Sequence, residues 1–451
     1  MKIRYLAPFA LAGLVALPAC GGGTSPAAGG SGTSSTAAAS SGGTTTSAAA
    51  GGSSSGSPTN LTVWLMTGEI SPKTYGAVNA AFHAQHPNVK VNVEIQQWSG
   101  IATKITTALA SNSPPDALEI GNTDVPEFAS SGGLMNLTGD QATLDSSGPW
   151  LTGLSAPATV NGKVYAAPLL AGDRVVLYNK KMFAKAGVSV PQTQAQLLQV
   201  GQKLMATFKS VPDFSALYWP GQYWYAALPL VWGHGGDIAT EQGGKWKGAL
   251  GSPAAQAGLS AYKQIQNTLS NTASRSVNTT QPDQDAVFAG GKAAMIIAGG
   301  WEPAVVEKDN PKMTGNIGAF AFPGTTAGQP APVFLGGSDI AVAANSPHAQ
   351  LAVDWIKLMA SPKYQTLMYN NDGLMPNSSG VSVSVTDPLQ TVFLAAAKSS
   401  HGTPASPGWA VIENDKTMEN LFSSIATGSQ SVAAAAQKAD AHLDVVLNQQ
   451  P

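Results

Sequence analysis

The spacing of apolar residues changes at residue 61, where short strands and helices begin to alternate. Residues 61–66 form an apolar run that predicts a buried strand, and a helix with one apolar face follows it. Residues 89–95 alternate between apolar and polar side chains, which predicts a second strand. After a helix near 100–110, residues 117–120 form a third strand. This β-α-β-α-β order predicts a parallel sheet with helices on both faces, and such sheets bind ligands beyond the carboxyl ends of their strands.

A second alternation of strands and helices begins near residue 175. An aromatic-rich segment covers 218–232, and helices rich in Ala, Leu and Met continue to the C-terminus. Thr193 is placed as the N-cap of the first helix in this part. The predicted elements are strands at 175–179, 293–298 and 339–343, and helices at 194–207 and 254–266. The sequence therefore predicts an α/β protein with a second α/β unit.

The first twenty residues have the pattern of a secretory signal peptide. Two basic residues precede an apolar run at 6–17, which is too short to cross a bilayer as a permanent helix. The segment ends in Leu-Pro-Ala-Cys, and its Cys20 is the only cysteine of the chain. This ending resembles a bacterial lipobox and predicts lipidation of Cys20, with an ordinary secretory signal as the alternative. A single cysteine also leaves the mature fold without an internal disulfide.

Residues 21–58 are almost wholly Gly, Ser, Thr and Ala. Such a segment buries too little apolar surface to offset the entropy of ordering it, so we expect a flexible tether. As a Gly/Ser-type coil of this length, the tether would have an end-to-end distance of about 35 Å. Together with residues 1–20 as a lipoprotein signal peptide, it predicts a folded part anchored at the extracytoplasmic face of the bacterial cell membrane.

The chain is poor in charged residues, which make up 11% of its 451 positions, against roughly 25% in typical globular domains. Its formal net charge of -2 provides no basic surface, so we expect no nucleic-acid partner. The six histidines are scattered, and no P-loop, HExxH or calcium-loop pattern occurs. We therefore expect neither a metal site nor a cofactor.

Several ordered segments beyond residue 61 resemble the family of extracellular solute-binding proteins that includes maltose-binding protein. Each motif is short, but together they extend in order from residue 61 to residue 447 at plausible spacing. The segments that carry the resemblance include Ser-Pro-Pro-Asp-Ala at 113–117, Gly-Lys-Val-Tyr at 162–165, Leu-Tyr-Asn-Lys at 177–180, Phe-Ala-Gly-Gly-Lys-Ala-Ala-Met at 288–295 and Gly-Leu-Met-Pro at 373–376. The ordered series of motifs indicates the family but does not identify the ligand.

The resemblance implies a periplasmic-binding-protein-like α/β fold, in which two α/β lobes are joined by three crossovers of the chain and enclose a ligand cleft. Small residues such as Gly337 suit a hinge between lobes, and they equally suit ordinary turns. The expected boundaries are residues 59–170 plus 289–335 for lobe 1 and residues 171–288 plus 336–451 for lobe 2. The expected crossovers lie near 168–173, 284–291 and 333–338.

Aromatic residues are the strongest candidates for contact with a sugar. A flat ring covers the apolar face of a pyranose, while neighbouring polar groups take its hydroxyls. Trp301 follows the predicted strand 293–298 in a Gly-x-Trp pattern and resembles the position of a sugar-stacking tryptophan in the family. Tyr225 and Trp409 also resemble stacking positions of the family, and the remaining aromatic candidates are Trp98, Tyr223 and Trp224. For any of these rings a place in the hydrophobic core is the alternative.

Polar residues after the predicted strands are candidates for binding hydroxyl groups. Glu69, Asn122 and Asp124 each follow a strand of the first sheet and should lie at its carboxyl edge. Asp173 and Arg174 lie at the first expected crossover, where a carboxylate accepts hydrogen bonds and a guanidinium donates them. Neighbours on a strand point to opposite faces, so at most one of the two is expected to face the ligand, and pairing with each other is the alternative.

The resemblance implies a monomeric solute-binding lipoprotein that captures a neutral di- or oligosaccharide by closure of its lobes. Such a protein delivers the sugar to the permease subunits of an ABC importer and is not an enzyme. Gly337 at the expected hinge completes the predicted binding residues. Two alternatives stay open: paired carboxylates could serve a surface glycoside hydrolase, or the same fold could present its ligand to a membrane sensor.

Overall fold

The computed structural model describes residues 58–98 and 100–449. The predicted signal peptide, Cys20 and all of the predicted tether except its last residue lie outside the described residues. Within the described part, no helix combines the length and the apolar character needed to cross a membrane.

The predicted strands of the first unit are confirmed with small shifts at their ends. The strands are β1 Thr59–Met66, β2 Val89–Gln96, β3 Ala117–Gly121, β4 Thr159–Val160, β5 Lys163–Val164, β6 Ala166–Gly172, β7 Arg174–Asn179, β8 Ala239–Gln242, β9 Lys245–Gly248, β10 Met295–Gly299, β11 Ile317–Phe320, β12 Val333–Phe334, β13 Gly336–Val342 and β14 Ser400–His401. Strands β1, β3, β7 and β10 carry apolar runs and are largely buried. Strand β2, at the edge of its sheet, instead alternates between apolar and polar residues.

Seventeen α-helices accompany these strands in the described part of the chain. They are α1 Pro72–Gln85, α2 Ile101–Leu109, α3 Val125–Ser130, α4 Gln141–Leu144, α5 Thr152–Ala158, α6 Lys180–Ala186, α7 Gln194–Thr207, α8 Trp224–Gly233, α9 Pro253–Leu269, α10 Gln284–Ala289, α11 Glu302–Asp309, α12 Ala349–Ala360, α13 Pro362–Asp372, α14 Pro388–Ala396, α15 Trp409–Asn414, α16 Thr417–Thr427 and α17 Val432–Val446. The N-cap prediction for α7 is confirmed, because the Thr193 hydroxyl accepts a hydrogen bond from the Gln196 amide at 3.2 Å.

Two sheets organise the described residues into two lobes. The first lobe is built on a five-stranded sheet with the order β2-β1-β3-β13-β6, in which β1 pairs in parallel with β2 and β3 as predicted. Strand β13 runs antiparallel to both of its neighbours. The second lobe is built on a three-stranded antiparallel sheet with the order β10-β7-β11.

Each sheet has its own hydrophobic core. In the first lobe, Trp355 of α12 is fully buried and donates from its indole nitrogen to the Asn79 side chain at 2.8 Å. In the second lobe, the buried Trp219 packs edge-on against Tyr262 and Phe322, with ring centroids 5.2 and 5.7 Å apart. Each lobe thus has a hydrophobic core, as expected for the predicted two-lobe α/β fold, and a further cluster with Leu154, Ala171 and Val175 continues across the passage between the lobes.

The strand pairing corrects the predicted assignment of chain segments to lobes. Strands β10 and β11 pair with β7 and belong to the second lobe, although segment 289–335 is predicted for the first. Strand β13 pairs with β3 and β6 and belongs to the first lobe, although segment 336–451 is predicted for the second. The prediction is wrong because local periodicity identifies a strand and does not identify its partner.

The chain passes between the lobes three times. Two passages agree with the expected regions: one joins β6 to β7 at Asp173, and the other joins β12 to β13 at Leu335. The passage expected at 284–291 is wrong, because α10 packs against α11 and β10 within the second lobe. The third passage lies instead between α13, which packs on α1 of the first lobe, and α14, which packs on β7 and β11 of the second.

Candidate functional site

A cavity of about 480 Å³, which we call the main cleft, lies between the two lobes. The carboxyl ends of β1 and β3 form its first-lobe side, as predicted, and β7, β12 and α15 contribute from the second lobe. Its lining includes eight of the predicted binding residues: Glu69, Trp98, Asn122, Asp124, Arg174, Tyr225, Trp301 and Gly337. Residues far apart in sequence therefore converge on one opening between the lobes.

The other predicted residues lie around the main cleft or in the core. Tyr223 and Trp224 line a neighbouring cavity of about 440 Å³. Asp173 lines a third cavity of about 320 Å³. Trp409 has no exposed surface and belongs to the second-lobe core, where its ring packs edge-on against Trp224 at 6.0 Å. Trp409 lines none of these three cavities, so the structure does not bring it to the cleft.

Trp301 lies where the three cavities meet. It is 51% exposed, lies two residues after the end of β10 and lines all three cavities. Its ring lies against Gly172 and Gly299, where an added Cβ would come within 3.1 Å of the ring at Gly172 and would overlap it at Gly299. Two glycines thus make room for the indole over the passage between lobes. The ring belongs to the second lobe and not to the first, because β10 pairs with β7.

Asp173 and Arg174 face different cavities, as expected for neighbours in an extended chain. The Arg174 side chain donates from Nε to the Tyr223 hydroxyl at 2.8 Å, and its guanidinium lies 4.8 Å from the centre of the Tyr225 ring. It thereby forms an aromatic and cationic wall of the main cleft. No ion pair joins Arg174 to Asp173 among the described residues, so the alternative that they neutralise each other is not observed.

The predicted binding residues do not include Glu119, a buried carboxyl residue next to Glu69 in the first lobe. Glu119 of β3 is fully buried and accepts hydrogen bonds from the Met66 amide at 2.7 Å and from the Ser338 hydroxyl. Burial and the neighbouring Glu119 raise the pKa of Glu69 well above its ordinary range. A signal for Glu119 is present in the sequence, because it is the single charged residue of an otherwise apolar strand.

A second residue that the sequence did not single out, Glu413, connects the two lobes. Its carboxylate accepts a hydrogen bond from Thr123 of the first lobe at 3.0 Å and another from the Trp409 indole at 2.9 Å. Burial, with a contribution from the negative charge of Asp124, raises the pKa of Glu413 to about 8. Burial and the nearby Glu127 raise the pKa of Asp124 to about 7. No local pattern predicts this contact, because the residues that form it are 290 positions apart.

The arrangement is suited to binding an organic molecule between an aromatic surface and several carboxyl groups that form hydrogen bonds. Trp98 and Trp301 expose ring surface, at 38% and 51%, while Glu69, Asp124 and Glu413 supply carboxyl groups. Asn122 is 5% exposed, and its side-chain amide donates to the Gly153 carbonyl at 3.3 Å, so one of its donors supports the local fold. Among the described residues, no group of three His, Cys, Asp or Glu side chains could hold a metal ion.

Comparisons with known sequences connect this geometry to characterised proteins. Residues 67–366 match the family model described as bacterial extracellular solute-binding protein. The chain is 35% identical, over all of both chains, to the diacetylchitobiose binding protein DasA of Streptomyces coelicolor. It is also 26% identical to the multiple sugar-binding protein of Streptococcus mutans, over 70% of this chain and 75% of that one.

Comparisons with solved structures show the same fold. The GacH receptor of Streptomyces glaucescens matches with a TM-score of 0.72 at 23% identity, covering 87% of this chain and 99% of that one. The sugar-binding protein MalE from Xanthomonas citri matches with a TM-score of 0.74 at 23% identity, covering 86% of this chain and 97% of that one. These likenesses confirm the predicted periplasmic-binding-protein-like fold.

Proposed function

Because this chain belongs to the bacterial extracellular solute-binding protein family, we propose that it captures a neutral di- or oligosaccharide in the main cleft. The observation that carries the proposal is the exposed ring of Trp301 at the junction of three cavities, next to carboxyl groups from both lobes. An aromatic face and a rim of hydrogen-bonding carboxyl groups match the two surfaces of a pyranose. The relatives named for diacetylchitobiose and for multiple sugars support a carbohydrate ligand.

The proposed mechanism is capture by closure of the two lobes. A ligand in the main cleft would contact Glu69 and Asn122 of the first lobe together with Arg174 and Trp301 of the second. Contacts that form on both sides only when the cleft is closed shift the population toward the closed state. Gly337 lies two residues after the passage at Leu335 and is our candidate for part of the hinge. Its φ of 149° and the nearby Leu170 carbonyl leave no room for a Cβ, so glycine is required there.

We further propose that the closed, liganded form is recognised by the permease subunits of an ABC importer and that no covalent chemistry takes place in the cleft. The named relatives are binding proteins, which supports a binding role. A surface glycoside hydrolase or a sensory receptor on the same fold would differ in the step after ligand capture. Cleavage of a bound oligosaccharide by the purified protein would establish the hydrolase instead.

The proposed location is the extracytoplasmic face of the cell membrane, with a monomer anchored through an acyl group on Cys20. The support is the lipobox-like ending of the signal-like segment and the absence of any other cysteine from the sequence. Replacing Cys20 by alanine is expected to release intact, folded protein from the membrane fraction. A variant that still fractionates with membranes after signal cleavage would contradict the lipoprotein proposal.

Saccharide binding is tested by thermal shift, followed by calorimetry, on the purified folded part. We expect at least one member of a panel containing diacetylchitobiose, cellobiose, maltose and longer oligosaccharides to raise the unfolding midpoint. A ligand at a hundred times its Kd adds about 2.7 kcal/mol to the free energy of unfolding. Small-angle scattering with that ligand should show a smaller radius of gyration. If no saccharide shifts the midpoint, the carbohydrate proposal fails.

A further inference from the structure

Two carboxyl residues, Glu69 and Glu119, meet on one hydroxyl group at the first-lobe side of the main cleft. The Ser338 hydroxyl donates to Glu119, and its oxygen lies 3.4 Å from Oε2 of Glu69. A side-chain hydrogen bond also joins the two carboxyl groups to each other. The three residues lie after β1, on β3 and on β13, which are neighbours in the first sheet, so the sheet itself brings them together.

The two carboxyl groups differ in their access to the ligand-binding region. Glu119 is fully buried and lines none of the three cavities. Glu69 is partly exposed and lines both the main cleft and the third cavity. Only Glu69 can therefore contact a ligand, and any influence of Glu119 on the ligand acts through Glu69.

The hydrogen bond between the two carboxyl groups requires a proton on one of them, because an ionised carboxylate only accepts. Without that proton, two neighbouring negative charges would repel each other. Among the described residues, neither glutamate takes part in an ion pair that could compensate this repulsion. Arg174, which also lines the main cleft, donates instead to the Tyr223 hydroxyl. The pair of glutamates therefore holds a proton.

The donors around the pair assign this proton to Glu69. Glu119 accepts from the Met66 amide at 2.7 Å and, through its other oxygen, from the Ser338 hydroxyl, and both donors favour its ionised form. Glu69 accepts from the Trp98 side chain, and the single Ser338 proton is already given to Glu119. Burial, with the charge of Glu119 and the hydrogen bond to it, raises the pKa of Glu69 to about 10, which agrees with this assignment.

We propose that Glu69 meets the ligand as a neutral carboxyl group, and that Glu119 is the positioning residue that keeps the proton and the side chain of Glu69 in place. The O–H of Glu69 points to Glu119, so its carbonyl oxygen is left to accept a hydrogen bond from a sugar hydroxyl. A neutral sugar that covers Glu69 then buries no charge on it. The binding role rests on the proposed function, whereas the protonation of Glu69 depends on no ligand.

The protonation of Glu69 can be measured on the purified protein without any saccharide. The infrared difference spectrum of wild type minus Glu69→Gln isolates the carbonyl stretch of this carboxyl group, which differs between the protonated and the ionised form. We expect the protonated band at about pH 8, far above the ordinary glutamate pKa of about 4.3. A Glu69 band in the ionised form alone at that pH would overturn the proposal.

Glu119→Gln tests whether Glu119 keeps the proton on Glu69. The variant retains an acceptor for the Met66 amide and removes the neighbouring charge, so the pH at which Glu69 ionises should fall by about one unit or more, a tenfold loss of proton affinity. Glu241→Gln, an exposed carboxyl on β8 outside all three cavities, is the matched control and should leave this pH unchanged. An unchanged titration of Glu69 in folded Glu119→Gln would overturn the role of Glu119. If that variant fails to fold, the wild-type spectrum still decides the protonation.

The binding role is tested by calorimetry with diacetylchitobiose, cellobiose and maltose. An ionised Glu69 would have to be buried beneath the sugar without a cation, so the Kd of Glu119→Gln relative to wild type should rise by about threefold or more from pH 5 to pH 8. The ratio cancels the titration of the other charged groups on the two cavities, namely Asp124, Asp173, Arg174, Asp372 and Glu413. A ratio that stays constant with pH would overturn the binding role. If none of the three sugars binds, the proposed function fails with it, and the infrared result still decides the protonation.

Discussion

Replacing Trp301 by alanine is expected to weaken saccharide binding at least thirtyfold while leaving the unfolding midpoint close to that of the wild type. The ring is half exposed, meets all three cavities and makes no side-chain capping bond at the start of α11. Removing it strips apolar contact from the ligand but little from the core. Central aromatic anchors commonly cost about 2 kcal/mol or more on truncation, which corresponds to roughly thirtyfold in Kd.

The measurement combines calorimetric affinity with thermal unfolding of the same Trp301→Ala preparation. Trp246→Ala is the matched control, because Trp246 is a partly buried indole on the β8–β9 hairpin that lines none of the three cavities. The control should keep its affinity. A lowered midpoint with unchanged affinity in the folded Trp301 variant would show that this ring supports the fold and does not bind the ligand.

Replacing Trp409 by alanine is expected to have the opposite profile, with a loss of about 3–5 kcal/mol in the free energy of unfolding. Trp409 is fully buried in the second-lobe core, where it packs against Trp224. The substitution leaves a large cavity and removes the donor to the buried carboxylate of Glu413. Denaturant unfolding, with the midpoint and slope fitted together, measures the loss.

Trp409→Phe separates the two contributions to that loss. The phenyl ring keeps most of the packing and cannot donate to Glu413, so its free energy of unfolding should lie between the wild type and the alanine variant. The position resembles a sugar-stacking site of the family, and binding measurements decide between the two roles. Full stability of Trp409→Ala combined with lost affinity would place the ring at the ligand and contradict the core assignment.

Helices and strands whose formation depends on residues close in sequence could be predicted from the amino-acid sequence. Helix α7 has the predicted bounds 194–207, and its Thr193 cap is formed by a side chain that reaches an amide three residues ahead. Strands β1, β2 and β3 are predictable because apolar runs and alternation are visible within eight residues, whereas β6 of the same sheet is not predicted. The family is indicated because its short motifs recur in order along the chain. All of these signals come from neighbouring residues or from the order of short motifs along the chain.

Tertiary packing decides to which lobe strands β10 and β13 belong. It also decides which tryptophan lines the main cleft. Strands β10 and β13 both have the pattern of buried strands, yet they pair with different sheets. Trp301 and Trp409 both resemble family stacking positions, and only the packed fold exposes one and buries the other. The contact of Thr123 with Glu413 likewise depends on residues brought together by folding. The periodicity of a sequence shows which face of a helix or strand is apolar. Which strand it pairs with, and whether a given side chain is buried, depends on the elements that pack against that face in the folded protein.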